Sequence, residues 1–279
     1  MISLGQERLW FLQRLDPLDA AYRVAVVRRL RGTLDVEALT GAFGEVVGRH
    51  ESLRTRFPDQ DGLPVAVIDP PGAVPVELVT FDRPGPTGPA LAWQAAPTGP
   101  ALSGQAGPDG PLLDEVVRLL EVRANTPFDL AAAPPLRITL VRLADDDHVL
   151  CVVLHHIIGD GWSLNVLMDD LAAFYLARTE GVPVSLPELP VRYAEYADAQ
   201  RVSDADVEYW TGRLTGARPL ELPTDRPRPA QRSSAGDEVR FDLSPGIAGA
   251  LSRLARAERS TVFMVLLAAY QVLLARHAG

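Results

Sequence analysis

Apolar positions along the chain recur at two different periods, and the switches between them divide it into predicted elements. Leu9, Trp10, Leu12 and Gln13 follow Ser3 at helical spacing, so a helix capped by Ser3 is predicted, stopped at Asp16-Pro17. Tyr22 to Leu30 reads as a strand with apolar and arginine faces. Asp35 then caps a second helix whose stripe is Leu39, Phe43, Val46 and Val47. Leu53–Phe57 and Pro64–Ile68 suit short strands around the turn Asp59-Gln60-Asp61-Gly62, and Val76–Phe81 suits another strand. A helix is predicted at about 112–125. After it come antiparallel strands at Leu136–Leu143 and His148–Leu154, joined by the acidic turn Asp145-Asp146-Asp147. Val149 to Leu154 is an uninterrupted apolar run, the pattern of a strand buried on both faces. Ser163 is expected to cap a helix lined by Leu164, Leu167, Leu171, Phe174 and Tyr175, with Trp162 as its anchor.

The pattern breaks in three places. Between Pro84 and Pro111 stand seven prolines and six glycines in 28 residues, too little apolar surface to offset ordering entropy, so a mobile insertion is expected there. Gly181–Pro190 is a proline-rich connection and a candidate lobe boundary. Two helices follow, around Tyr193–Ala197 and Tyr209-Trp210. A second proline-rich crossing covers Pro219–Pro229, a strand is predicted at Glu238–Leu243, and two helices finish the chain. The last, Thr261–Ala278, is strongly apolar and needs covering structure, so the sequence is expected to be cut short at Gly279.

Composition narrows the chemistry. With 279 residues, 47% of them hydrophobic, the chain can bury a large core. A formal net charge of -9 disfavours a nucleic-acid or anionic-membrane surface. No apolar stretch reaches bilayer length, and Glu7 and Arg8 sit where a secretory signal would need an apolar core. Cys151 is the single cysteine and lies mid-strand. It reads as a core residue, and a reducing cytoplasm is the expected compartment. Every basic residue among the 27 is arginine, which excludes lysine Schiff-base chemistry and a phosphate-loop lysine.

The candidate chemistry lies in His155-His156-Ile157-Ile158-Gly159-Asp160-Gly161-Trp162-Ser163. Side chains alternate along a strand, so His155 and His156 point to opposite faces and only one can enter a given cavity. That disfavours a shared metal site, for which helical i, i+4 spacing is usual. It favours one reacting histidine with a packing or orienting neighbour. His148 and His277 read as surface residues, and His50 as a structural hydrogen-bonding residue.

The His-His-x-x-x-Asp-Gly run resembles the acyl-transfer motif of chloramphenicol acetyltransferase-like enzymes and of condensation domains of nonribosomal peptide synthetases. Three further segments favour the latter. Ser3–Leu12 resembles the first condensation-domain motif, and Arg49-His50-Glu51-Ser52-Leu53-Arg54-Thr55-Arg56-Phe57 resembles the second almost residue for residue. Tyr193–Gln200 resembles the fourth, with Glu195 and Ala199 where aspartate and tryptophan are usual.

The resemblance implies an α/β two-layer sandwich: a chloramphenicol acetyltransferase-like lobe with a mixed β-sheet flanked by helices, followed by a truncated second lobe. Residues 1–180 would form the N-terminal condensation lobe, with the insertion at about 84–111. Residues 181–279 would form the connection and an incomplete C-terminal lobe. The implied reaction joins two carrier-bound thioesters, the acceptor's amine attacking the donor's thioester carbonyl. His156 is the catalytic histidine by motif position, with the Gly161 amide facing the reacting carbonyl. His155, Asp160 and Arg54 are supporting residues, Asp160 ion-paired to Arg54; orientation of His156 by Asp160 is the other reading. No cofactor binds directly, since substrates arrive on phosphopantetheine arms. The implied partners are donor and acceptor peptidyl carrier proteins and an adjacent adenylation domain. If Met1 is the natural start, the donor arrives in trans or as a fatty acyl group. The competing functions are a free-standing coenzyme A-dependent acyltransferase and an inactive carrier-recruiting scaffold.

Overall fold

The computed structural model describes residues 2–81, 110–227, 230 and 241–278. It divides into two compact units, Met1–Arg201 and Val202–Gly279. The proline- and glycine-rich segment lies outside the described residues except for its last two positions; of the strand predicted at 238–243, residues 238–240 lie outside the described residues and 241–243 are not in a strand.

In the first unit the elements follow the predicted order. Helix α1 (Leu4–Leu15) begins with a capping box, in which the Ser3 hydroxyl accepts from the Gln6 amide and the Gln6 side chain accepts from the Ser3 amide. Strand β1 spans Arg23–Arg31, and α2 (Val36–Arg49) starts on the Asp35 carboxylate. The segment predicted as a strand from Leu53 begins instead with a 3-10 turn at Glu51–Arg54. Only Thr55–Arg56 (β2) is extended, paired antiparallel with Val67–Ile68 (β5). Between them Asp59–Gln60 (β3) and Leu63–Pro64 (β4) form a hairpin whose turn places Asp61 and Gly62 at positive φ. Strand β6 (Val76–Thr80), helix α3 (Gly110–Asn125), strands β7 (Leu136–Ala144) and β8 (Asp147–His155), and helices α4 (Gly161–Glu180) and α5 (Tyr193–Ala199) complete the unit. Gly181 ends α4 at φ 67°, a conformation that favours glycine.

The main sheet has the order β1-β8-β7-β6. β8 runs antiparallel to both β1 and β7, while β6 lies parallel to β7, with α3 in the crossover. The sheet is therefore mixed and flanked by helices, as predicted. Its central strand explains the uninterrupted apolar run. Leu150, Val152 and Leu154 pack with Phe43 and Val46 of α2 and Leu164 and Leu171 of α4. Val149, Cys151 and Val153 face the other way, against Val116 and Leu120 of α3. Cys151 is 1% exposed, and burial pushes its thiol up to about 12. His148 departs from the sequence reading: it is 2% exposed, because the β7–β8 ladder continues through it and draws its ring inside.

The second unit holds α6 (Asp204–Leu214), α7 (Pro245–Ala257) and α8 (Val262–Ala278). Ser203 and Ser244 cap the first two, Pro245 occupies the first turn of α7, and α7 packs against α8. No single described helix is long and apolar enough to cross a membrane.

Candidate active site

β8 ends at His155, and the next five residues make the turn from sheet to α4. The strand's alternation persists at its end, so His155 is 1% exposed while the His156 side chain is exposed. Ile157 and Ile158 are buried again, so His156 projects between two anchored neighbours. The His156 amide donates to the Tyr22 carbonyl at 2.8 Å, which ties the turn to the start of β1.

The state of His155 follows from its partners. Its Nδ1 accepts the Ile157 amide proton at 3.0 Å, so the ring proton sits on Nε2 and is donated to Gln13 Oε1 at 3.2 Å. Burial, then the neighbouring His156 and Arg23, push its pKa from 6.5 down to about 4. It is therefore neutral at physiological pH. The unfolded chain takes up this proton near pH 6.5, the folded one only near 4. Stability tied to neutral His155 is thus complete above about pH 6.5 and is lost as the pH falls through this window, by about 3 kcal/mol in all. Urea unfolding between pH 7.5 and 4.5 should show that loss. In His155→Asn, whose amide oxygen can accept from Ile157 without titrating, the dependence should flatten by a similar amount.

Asp160 departs from its expected partner. Its carboxylate caps α4, accepting the Ser163 amide at 2.8 Å and the Ser163 hydroxyl at 2.7 Å. These bonds, the amide first, hold it below the usual carboxylate range. Asp160 rather than Ser163 is thus the cap, and Ser163 closes the box from the third helical position. The predicted Arg54–Asp160 ion pair is not formed. Arg54 donates to the Asp69 carbonyl at 2.6 Å and lies 3.8 Å from the Glu51 carboxylate. The physical reason is local: the helix N-terminus takes the Asp160 oxygen, while Glu51 stands three residues from Arg54 in the same 3-10 turn.

Gly161 occupies the first helical position of α4, where an amide has no carbonyl one turn back to bond. A Cβ built there meets nothing within 4 Å, so the space in front of it is open. Trp162, expected to anchor the helix, is 79% exposed instead. It borders a small cavity of about 170 Å³ with His50, Ser52, Leu154, Ile158 and Val166. A larger cavity of about 840 Å³ is lined by Arg49, His50, Glu51, Arg54, Arg192 and Tyr193. His50 borders both.

Two polar features escaped the sequence reading. One oxygen of buried Asp170 accepts from His50 Nε2 at 2.7 Å and from Arg49 Nε at 3.0 Å, joining α4 to the end of α2. Its sequence signal was an aspartate three residues after Leu167, inside the apolar stripe. The other feature is the pair of buried glutamines on α1, Gln6 and Gln13, spaced to share the face of Trp10. Among the described residues no cluster of histidine, cysteine and carboxylate side chains could hold a metal ion.

A family model for the condensation domain matches residues 1–88 and 113–279. Chondramide synthase of Chondromyces crocatus is 38% identical over 284 residues, covering 100% of this chain and 7% of that protein. A linear gramicidin synthase of Brevibacillus parabrevis is 39% identical over 285 residues, 100% of this chain and 3% of that one. The X-domain from teicoplanin biosynthesis superposes with a TM-score of 0.77 at 29% identity, over 100% of this chain and 57% of that one. The first condensation domain of the calcium-dependent antibiotic synthetase, solved with a substrate analogue, gives 0.72 at 25% identity, over 100% and 60%. The chain thus spans a small part of these synthases and under two thirds of these solved chains.

Proposed function

This chain belongs to the condensation-domain family, and from that premise we propose that it works in nonribosomal peptide synthesis as an acyltransferase forming amide bonds. The donor is an acyl or peptidyl thioester and the acceptor an aminoacyl thioester, each on the phosphopantetheine arm of a carrier protein. The acceptor amine attacks the donor carbonyl to give a tetrahedral intermediate. The carbon–sulfur bond then breaks, the carbon–nitrogen bond remains as the amide, and the amine's proton ends on the departing thiol. His156 carries that proton or steadies the charged intermediate, as a neutral imidazole can near neutral pH. The Gly161 amide, at the positive end of α4, would donate to the developing oxyanion. Asp160 holds the helix start in place, and neutral His155 backs the turn. No cofactor is required beyond the carriers' arms. An adjacent adenylation domain would load the acceptor, in the cytoplasm.

The observation that supports this most is the arrangement of the motif's first four residues: His156 is exposed while His155, Ile157 and Ile158 on either side of it are buried. Likeness to the X-domain from teicoplanin biosynthesis, solved in complex with OxyB, favours a second reading, a domain that recruits a partner without chemistry. The test uses the polypeptide in which this chain occurs, supplied with loaded donor and acceptor carriers, with products followed by mass spectrometry. Amide on the acceptor carrier is the expected result. Product from a coenzyme A thioester alone would point to the free-standing acyltransferase, and no product from either donor to the recruiting domain.

A further inference from the structure

We propose that Gln6 and Gln13 of α1 are positioning residues for His156, a two-point clamp on the turn that carries it. The inference rests on the reading of His156 as the reacting side chain. The exposed His156 ring makes no hydrogen bond among the described residues, so its place is set by the peptide groups on either side. Both polar groups of Ile157, the next residue, lead back to α1. Its amide is held by His155 Nδ1, available as an acceptor because the ring proton is committed to Gln13. Its carbonyl accepts from Gln6 Nε2 at 3.1 Å.

Each glutamine has its amide orientation fixed by a second partner. Gln13 Nε2 donates to the Pro17 carbonyl at 2.8 Å, which leaves Oε1 facing His155. Gln6 Oε1 accepts the Ser3 amide proton at 3.0 Å, which leaves Nε2 to donate to Ile157. Ser3 Oγ in turn meets the Tyr193 hydroxyl at 2.9 Å, so α5 braces the same chain. Both glutamines and Ser3 are buried, where an unmatched polar atom is costly and a fully matched set specifies one geometry. Packing alone would be served by leucine at either position. The donors and acceptors found here suit the fixing of a reacting group, for which about 1 Å of misplacement can cost about 100-fold in rate.

Two substitutions separate clamping from folding. In Gln6→Glu the carboxylate still accepts from Ser3 and keeps the cap, since glutamate suits a capping box, but it presents an oxygen to the Ile157 carbonyl. We expect kcat to fall about 100-fold with KM for the carriers within about threefold. Amide exchange at Ile157 and Ile158 should rise at least about tenfold, while Val152 and Val153 stay protected. In Gln13→Glu a carboxylate faces the His155 Nε2 proton and raises the pKa of that ring from about 4. Once protonated, Nδ1 cannot accept from Ile157, so the acid limb of the kcat profile should move up by about one pH unit or more. Wild-type kcat, pH profile and exchange in both variants would overturn the clamp. If the unsubstituted protein forms no amide, the functional reading fails, and the exchange data alone decide the clamp.

Discussion

His156→Ala is expected to lower amide formation about 10²–10⁴-fold, the range that loss of a positioned proton carrier produces. The fold should survive unchanged. The side chain is exposed, and the turn is held by the His156 backbone and the buried side chains of Ile157 and Ile158, none of which the substitution removes. Circular dichroism and the melting temperature should therefore match the unsubstituted protein while the single-turnover rate collapses. One further change is expected: His156 is among the groups that lower the His155 pKa, so its removal should let that pKa rise. Near-normal product formation by a folded His156→Ala protein would remove the proposed role.

Asp170→Ala should have the largest effect on stability of any charged residue in the first unit. One carboxylate oxygen serves both His50 and Arg49, and Arg49 also donates to the Pro187 carbonyl, so the aspartate joins α2, α4 and the segment leading to α5. Removing it leaves a largely buried guanidinium without its counter-charge, a change that costs about 3 kcal/mol. For a unit of this size that is a fall of roughly 6–12 °C in Tm. A loss below about 1 kcal/mol in urea titration would mean that water or another group replaces the carboxylate. The surface pair Arg178–Glu45, between the same two helices, provides the contrast. Both its partners are substantially exposed, and such pairs contribute little.

Most of the fold was legible because its signals are local. Ser3 and Asp35 are caps that bond within their own first turn, and the stripes on α1 and α2 and the apolar run of β8 have the periods of their elements. The misreadings occur where two local signals compete or where partners lie far apart in sequence. Asp160 and Ser163 both suit a cap, and the aspartate wins because it stands at the non-helical residue, with φ -130°. Leu53 looks extended, yet Thr55 Oγ1 donates back to the Glu51 carbonyl at 2.6 Å and stabilises a tight turn first. His148 sits beside three aspartates and looks solvated, but its strand is central and carries it inside. At the site, alternation alone separated His155 from His156. Nothing in the sequence could pair Gln6 with Ile157, 151 positions away, or Asp170 with His50, 120 positions away. Those contacts exist only once α1 and α4 are docked on the sheet.

Cys151 gives the protein a built-in reporter. It is the only thiol in the chain, 1% exposed in the central strand, between β1 and β7 and under α3. Its burial and raised pKa together leave almost no reactive thiolate in the closed state. Modification by a thiol reagent must therefore wait for the strand to open, and its rate, followed without any added label site, measures how often the sheet beneath the histidine turn comes apart.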